Sequence, residues 1–327
     1  MINLETTFAG LTLKNPIIVS SSGLTSTPEK NKYLADAGVG AIVLKSLYEE
    51  QIALELGQMH TAAGYYPEGG EYLEAAVRNT QVTEYLQLIR ETKNSCHIPI
   101  IASINCYNDD EWVACANAVE AAGADALEIN ILALQTAKDY SYGSFEQQHI
   151  DILQKIRQHT RIPIIMKLGR NLTNPVSLIN QLYAGGAQGV VLFNRSYQPD
   201  INVETLEVTQ RAAIFTTPAL LSESLRWVGI SSATISGIDY AVSGGVHSGE
   251  DVVKSILAGA NAVEMCSAIY QNGGEYVCYI LQFVSEWMIK HGMKRISDFR
   301  AMLNMKDPAA ATVYERMQFM RYYDKYE

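Results

Sequence analysis

Residues 240–267 read Y-A-V-S-G-G-V-H-S-G-E-D-V-V-K-S-I-L-A-G-A-N-A-V-E-M-C-S. An apolar strand runs into Ser243-Gly244-Gly245, and a helix opens at Ser248-Gly249-Glu250-Asp251. Gly259 stops that helix, and a second apolar strand, 262–265, ends in Cys266-Ser267. Glycines without Cβ let an anion come close to the main chain, and a helix start adds the positive end of its dipole. Two facing strand ends with little side-chain bulk are what hold a phosphate after strands seven and eight of an eight-fold β/α barrel. The Gly-Gly pair also serves as a plain tight turn, so the stretch alone leaves both readings open.

Working outward, the second half of this pattern recurs. It is present as A-D-A-G-V-G-A-I-V-L-K (35–45), A-A-G-A-D-A-L-E-I-N (121–130), Y-A-G-G-A-Q-G-V-V-L-F-N (183–194) and L-A-G-A-N-A-V-E-M-C-S (257–267). Each is a helix end, a glycine stop and a short buried strand. Helices alternating with apolar strands imply a parallel sheet, and the irregular spacing excludes a solenoid. Further strands at 16–20, 99–104, 163–168 and 238–242 bring the count to eight. The expected fold is α/β: a single-domain (β/α)8 TIM barrel over residues 1–327. A β-hairpin over residues 1–13, turning near Ala9-Gly10, precedes it. Long βα insertions are expected at 47–70, 133–144 and 196–218, the second as a lid. The tail from residue 292 reads as one or two helices on the barrel.

Composition limits the partners. The 327 residues are 48% hydrophobic and carry a formal charge of −10, which argues against a nucleic-acid or anionic-membrane surface. The five cysteines form no C-x-x-C pair, so neither an iron–sulfur nor a zinc site is expected, and their scatter fits reduced thiols in a cytoplasm. Residues 1–10, with Asn3 and Glu5, hold no apolar signal core, so no secretory leader is expected, and no run of about 18 apolar residues occurs. A cytoplasmic protein with a small-molecule substrate is the expectation.

In a barrel the chemistry sits at the C-terminal strand ends. Those positions hold Ser22-Gly23, Lys45-Ser46, Asn105, Asn130, Lys167, Asn194 and Ser243-Gly244-Gly245. Two lysines and three asparagines make a polar ring, in which amides can donate and accept along the edge of a planar heterocycle. A lysine there also allows a Schiff-base lyase or aldolase acting on a phosphorylated substrate. His97, His149 and His159 read as surface groups on helix ends or loops.

The strand-end set, with N-P-I-I-V-S-S-S-G, I-V-L-K-S, A-L-E-I-N, I-M-K-L and S-G-G-V-x-S-G-E-D, resembles the dihydroorotate dehydrogenase family from about Asn3 to Phe299. That resemblance implies a barrel binding FMN and oxidising dihydroorotate, and it is to the soluble homodimeric class. By it, Ser22, Gly23, Lys45, Ser46, Asn105, Asn130 and Lys167 would line FMN. Gly244, Gly245, Cys266 and Ser267 would hold its phosphate, and Lys45, His60, Asn130 and Asn194 would reach the substrate. Lys45, Lys167 and Asn130 are the catalytic candidates, with Lys167 stabilising the reduced ring. The chain departs from the family on the substrate side. The family's Cys or Ser base falls on Ala133, Gln135 replaces a loop asparagine, and Arg195 follows Asn194 where the family has a small residue. Tyr140, Ser141, Tyr142 and His60 are the candidates for a replacement base. An FMN-binding paralogue without dihydroorotate turnover is the alternative.

Overall fold

The computed structural model describes residues 2–48, 70–105, 110–131, 133–195, 199–209, 215–307, 311, 313 and 314; of 48, 70–78 and 110–114 it describes the backbone alone. His60 lies outside the described residues.

An antiparallel hairpin comes first, β1 (Thr6–Phe8) against β2 (Leu11–Leu13), turning through Ala9 and Gly10. Eight parallel strands follow: β3 (Ile17–Val19), β4 (Ala41–Val43), β6 (Ile100–Asn105), β7 (Ala126–Asn130), β8 (Ile164–Leu168), β9 (Gly189–Leu192), β12 (Asp239–Ser243) and β13 (Ala262–Met265). Each pairs with the next, β4 reaching β6 through Ile42 and Ile100. The ring closes where Val263 of β13 pairs with Ile17 of β3. A two-residue strand β5 (Leu47–Tyr48) adds to the far end of β6. The fold is a (β/α)8 TIM barrel.

Capping residues set where the helices begin. Thr27 and Asn174 accept from the amides of Lys30 and Ser177 at the starts of Pro28–Asp36 and Pro175–Ala184, each with proline in the first turn. At Gly249–Ala258, Asp251 Oδ2 accepts from the amides of His247 and Ser248 at 3.0 and 2.9 Å. That capping box clamps the whole turn after β12.

Side chains alternate along each strand, so the barrel interior is built in layers. Its lower layers are apolar: Ile18, Ala41, Val43, Ile101, Ala126, Ile165, Val191, Ala241 and Ala262 cluster with Phe8, Ala9 and Leu13 of the hairpin. Four alanines leave the space that Phe8 and Leu13 fill, so the hairpin plugs the N-terminal end. The outward-facing residues of the strands form a second, larger core with the helices.

Three details differ from the sequence expectations. The insertion after β9 carries an antiparallel ribbon, β10 (Asp200–Asn202) and β11 (Glu207–Thr209), with Ile201, Val203, Leu206 and Val208 exposed. From residue 292 to 307 the tail forms a 3₁₀ turn at Ile296–Asp298 and irregular turns where a helix was expected, and residues 311, 313 and 314 beyond it are helical. His149 is buried within Ser144–Arg157 because it follows Phe145 by one helical turn; His97 and His159 are exposed as expected. Among the described residues no helix is long and apolar enough to cross a membrane.

Phe8→Ala should cost about 3–5 kcal/mol of stability, because the plug cannot collapse against a rigid ring of alanines. Urea unfolding followed by circular dichroism measures this; a loss under about 1 kcal/mol would show that the hairpin is not part of the core.

Candidate active site at the barrel mouth

The strands deliver their last residues to a cavity of about 560 Å³ at their C-terminal ends. This is within the size range of small-molecule sites. Ser21, Ser22 and Gly23 after β3, Lys45 after β4 and Lys167 of β8 line it, as do Asn194 and Arg195 after β9. Gly244 and Gly245 after β12 and Cys266 and Ser267 after β13 complete the wall. Ser46, Asn105 and Asn130 are joined to these residues or to one another. Ser46 bonds Ser21 at 2.8 Å, Asn105 pairs with Asn130 across β6 and β7, and Asn194 Nδ2 donates to Asn130 Oδ1 at 2.7 Å. Ala133 is half-buried and its carbonyl accepts from Asn171 Nδ2 at 2.9 Å. Tyr140, Ser141 and Tyr142 are absent from the cavity wall, and Tyr142 is 96% exposed.

One end of the cavity is shaped for close approach to the main chain. Gly244 and Gly245 have φ of +84° and +83°, which side chains rarely adopt, and a Cβ on Gly245 would overlap the backbone nitrogen of Leu221. Among the described residues the amides of Gly244, Gly245 and Cys266 donate to no acceptor. Opposite them, Thr216 donates through its amide and its hydroxyl to Ser267 Oγ at 2.9 and 3.0 Å, and its Oγ1 lies 3.1 Å from His247 Nε2. Burial pushes the Cys266 thiol up, so it lines the wall as a neutral group.

The floor contains what the sequence reading missed. Glu128 and Glu264 lie inside the barrel with Lys167, all three buried. Lys167 Nζ is 2.6 Å from Glu264 Oε2 and 3.5 Å from Glu128 Oε1, and Ser20 Oγ donates to Glu264 Oε2 at 3.1 Å. A chain of hydroxyls runs from Ser21 through Ser46 and Ser103, at 2.8 and 2.7 Å, to Glu128 Oε1 at 3.3 Å. Strand periodicity carried the signal: Glu264 is two residues from inward Ala262, Glu128 two from Ala126, and Lys167 two from Ile165.

Two acids against one base leaves a proton to place. Burial, then the charge of Glu264, pushes the Glu128 carboxyl well above the usual carboxylate range. Burial alone would raise Glu264 as well, yet Lys167 and the hydrogen bonds around it hold that carboxyl below the usual range. Burial would likewise weaken the Lys167 ammonium, but the two carboxyls overturn this and raise it. Among the described residues Glu128 Oε2 and Glu264 Oε1 have no hydrogen-bond partner, and a proton on Glu128 shared with Glu264 would satisfy both. With that proton in place the floor is neutral: one ammonium, one carboxylate and one carboxylic acid.

A barrel with a polar mouth, a glycine cradle after its seventh strand and a lysine on its floor defines a class of ligand-binding β/α barrels. Comparison with known proteins narrows it. A family model for dihydroorotate dehydrogenase matches residues 3–288, and the chain belongs to that family. It is 29% identical over 300 residues to the catalytic subunit of dihydroorotate dehydrogenase B (NAD(+)) from Methanocella arvoryzae, covering 87% of this chain and 93% of the relative. It is equally identical, over 309 residues, to dihydroorotate dehydrogenase A (fumarate) from Limosilactobacillus reuteri, covering 88% and 94%. The protein is an oxidoreductase acting on CH–CH bonds.

The proton on Glu128 has a stability signature. The unfolded chain releases it above about pH 4.5 whereas the folded protein keeps it, so Glu128 supports folding at low pH and opposes it as the pH rises. Relative to the wild type, Glu128→Gln should gain on the order of 1 kcal/mol for each pH unit between about 4.5 and the folded-state titration. Denaturant midpoints from pH 4 to 8 test this; parallel curves for the two proteins would mean that Glu128 is ionised in the fold.

Proposed function

We propose that the protein is an FMN-dependent oxidoreductase that takes a hydride from dihydroorotate or a related small ring. The observation that carries this reading is the cavity itself, in a chain of this family. It pairs a side-chain-free cradle at Gly244 and Gly245 with a polar floor at Lys167. The residues fit the cofactor. The amides of Gly244, Gly245 and Cys266, with Ser267, suit a phosphate, and Arg195 adds positive charge near Cys266. Ser22, Gly23, Lys45, Ser46, Asn105, Asn130 and Lys167 suit the ring. FMN, when bound, supplies the two-electron acceptor.

Lys45, Asn130 and Asn194 orient the substrate in this reading. Asn194 occupies the Asn130 carbonyl, which leaves the Asn130 amide hydrogens as donors. Ala133 offers no atom to take the substrate proton, and loss of a general base costs roughly 10²–10⁴-fold. That position favours a second reading, an FMN protein whose ring substrate is not dihydroorotate.

The exposed Ile201, Val203, Leu206 and Val208 support a homodimer joined through the ribbon of β10 and β11. Cys96, Cys115, Cys266 and Cys278, each a free thiol, are consistent with a cytoplasmic location.

The purified protein should be yellow and should release FMN on denaturation; a colourless protein that traps a carbonyl substrate with borohydride would be a lysine-dependent lyase instead. Under anaerobic conditions dihydroorotate should bleach the flavin slowly, and Ala133→Cys should accelerate the bleaching by about 10²-fold. Bleaching in neither protein would remove dihydroorotate as the substrate. For the dimer, Ile201→Glu with Val208→Glu should give a monomer by analytical ultracentrifugation; an unchanged sedimentation coefficient would move the interface elsewhere.

A further inference from the structure

Resting on the FMN reading above, a further role falls to the acidic residues of the floor. Lys167 is the cation that the barrel places beneath the cavity, but it is not bare. Glu264, which also lines the cavity, holds it at 2.6 Å and is itself fixed by Ser20; Glu128 stands 3.5 Å from the same ammonium. These side chains come from three different strands and are buried in the interior, so no rotation into solvent can separate them. Lys45, by contrast, is only half-buried and has no carboxylate partner among the described residues.

We propose that Glu264, seconded by Glu128, is a redox-positioning residue: it cancels the charge of Lys167 under the flavin, so that the floor presents no net cation to the reduced ring. A bare lysine there would stabilise the negative charge that the ring gains on reduction and so raise its potential. The paired lysine keeps its hydrogen-bonding place and gives up that electrostatic pull. The flavin is thereby held as a stronger reductant, and Lys45 remains the cation available to an anionic substrate.

The test is the midpoint potential of the FMN-loaded protein, measured anaerobically by equilibration with a reference dye. Glu128→Gln with Glu264→Gln leaves Lys167 bare and should shift the flavin–dye equilibrium toward reduced flavin by at least tenfold, about 30 mV for a two-electron couple. A smaller shift, or one in the other direction, would overturn the proposal. Glu128→Gln alone should move the equilibrium by less than threefold, since Glu264 still matches the lysine; a tenfold shift in that variant would give the role to Glu128 and sink the assignment to Glu264. Should a bare buried lysine prevent folding, Lys167→Gln with Glu264→Gln decides the matter. Removing both charges should leave the potential within threefold of the wild-type equilibrium, and a tenfold fall would show that the lysine acts uncancelled. A wild-type protein that takes up no FMN fails the cofactor reading itself, whereas a yellow wild type with unmoved variants sinks only this inference.

Discussion

The ion pair between Lys167 and Glu264 sits where the barrel's two requirements meet. The interior must be dry enough for eight strands to pack, and the mouth must be polar enough to bind a ligand. A lysine at that boundary costs several kcal/mol to desolvate unless a carboxylate accompanies it. The carboxylate in turn needs the hydroxyl of Ser20, and the second acid needs a proton. Strand register makes this possible: Asn130 pairs with Lys167, so Glu128 lies two residues down the neighbouring strand from the lysine, and Met265 pairs with Val19, which brings Glu264 within reach of Ser20.

Below the ion pair the interior is alanine and branched aliphatic residues closed by the hairpin; above it are the serines, asparagines and glycines of the strand ends. The capping box at Ser248 and Asp251 belongs to the same arrangement, because it fixes the turn after β12 whose glycine amides face the cavity. Stability and site are thus separated along the barrel axis. Substitutions beneath the ion pair act on folding, and those above it act on what the mouth holds.

Much of this was legible in the sequence. The repeated helix end, glycine and apolar strand led to eight strands in the right places, and the strand-end positions picked out Lys45, Lys167 and Asn194 for the cavity. Ser46 and Asn130 were also read as strand-end residues, and hydrogen bonds tie them to Ser21 and Asn194 of the cavity wall. Glu128 and Glu264 were passed over as ordinary strand residues. Their partners lie 39 and 97 residues from them along the chain, and only barrel closure brings the three together. His149 was misread for a local reason: without the limits of its helix, its one-turn spacing from Phe145 carried no weight. The ribbon after β9 alternates polar and apolar residues as strands do, but it has no core to face and so stood out from no loop.

The hairpin plug has a kinetic meaning. With Phe8 and Leu13 filling its lower end, the barrel gives the cavity no passage through its N-terminal end among the described residues. Whatever is oxidised in the cavity leaves by the route along which it arrived. A second reactant that had to reach the same floor would wait for that departure.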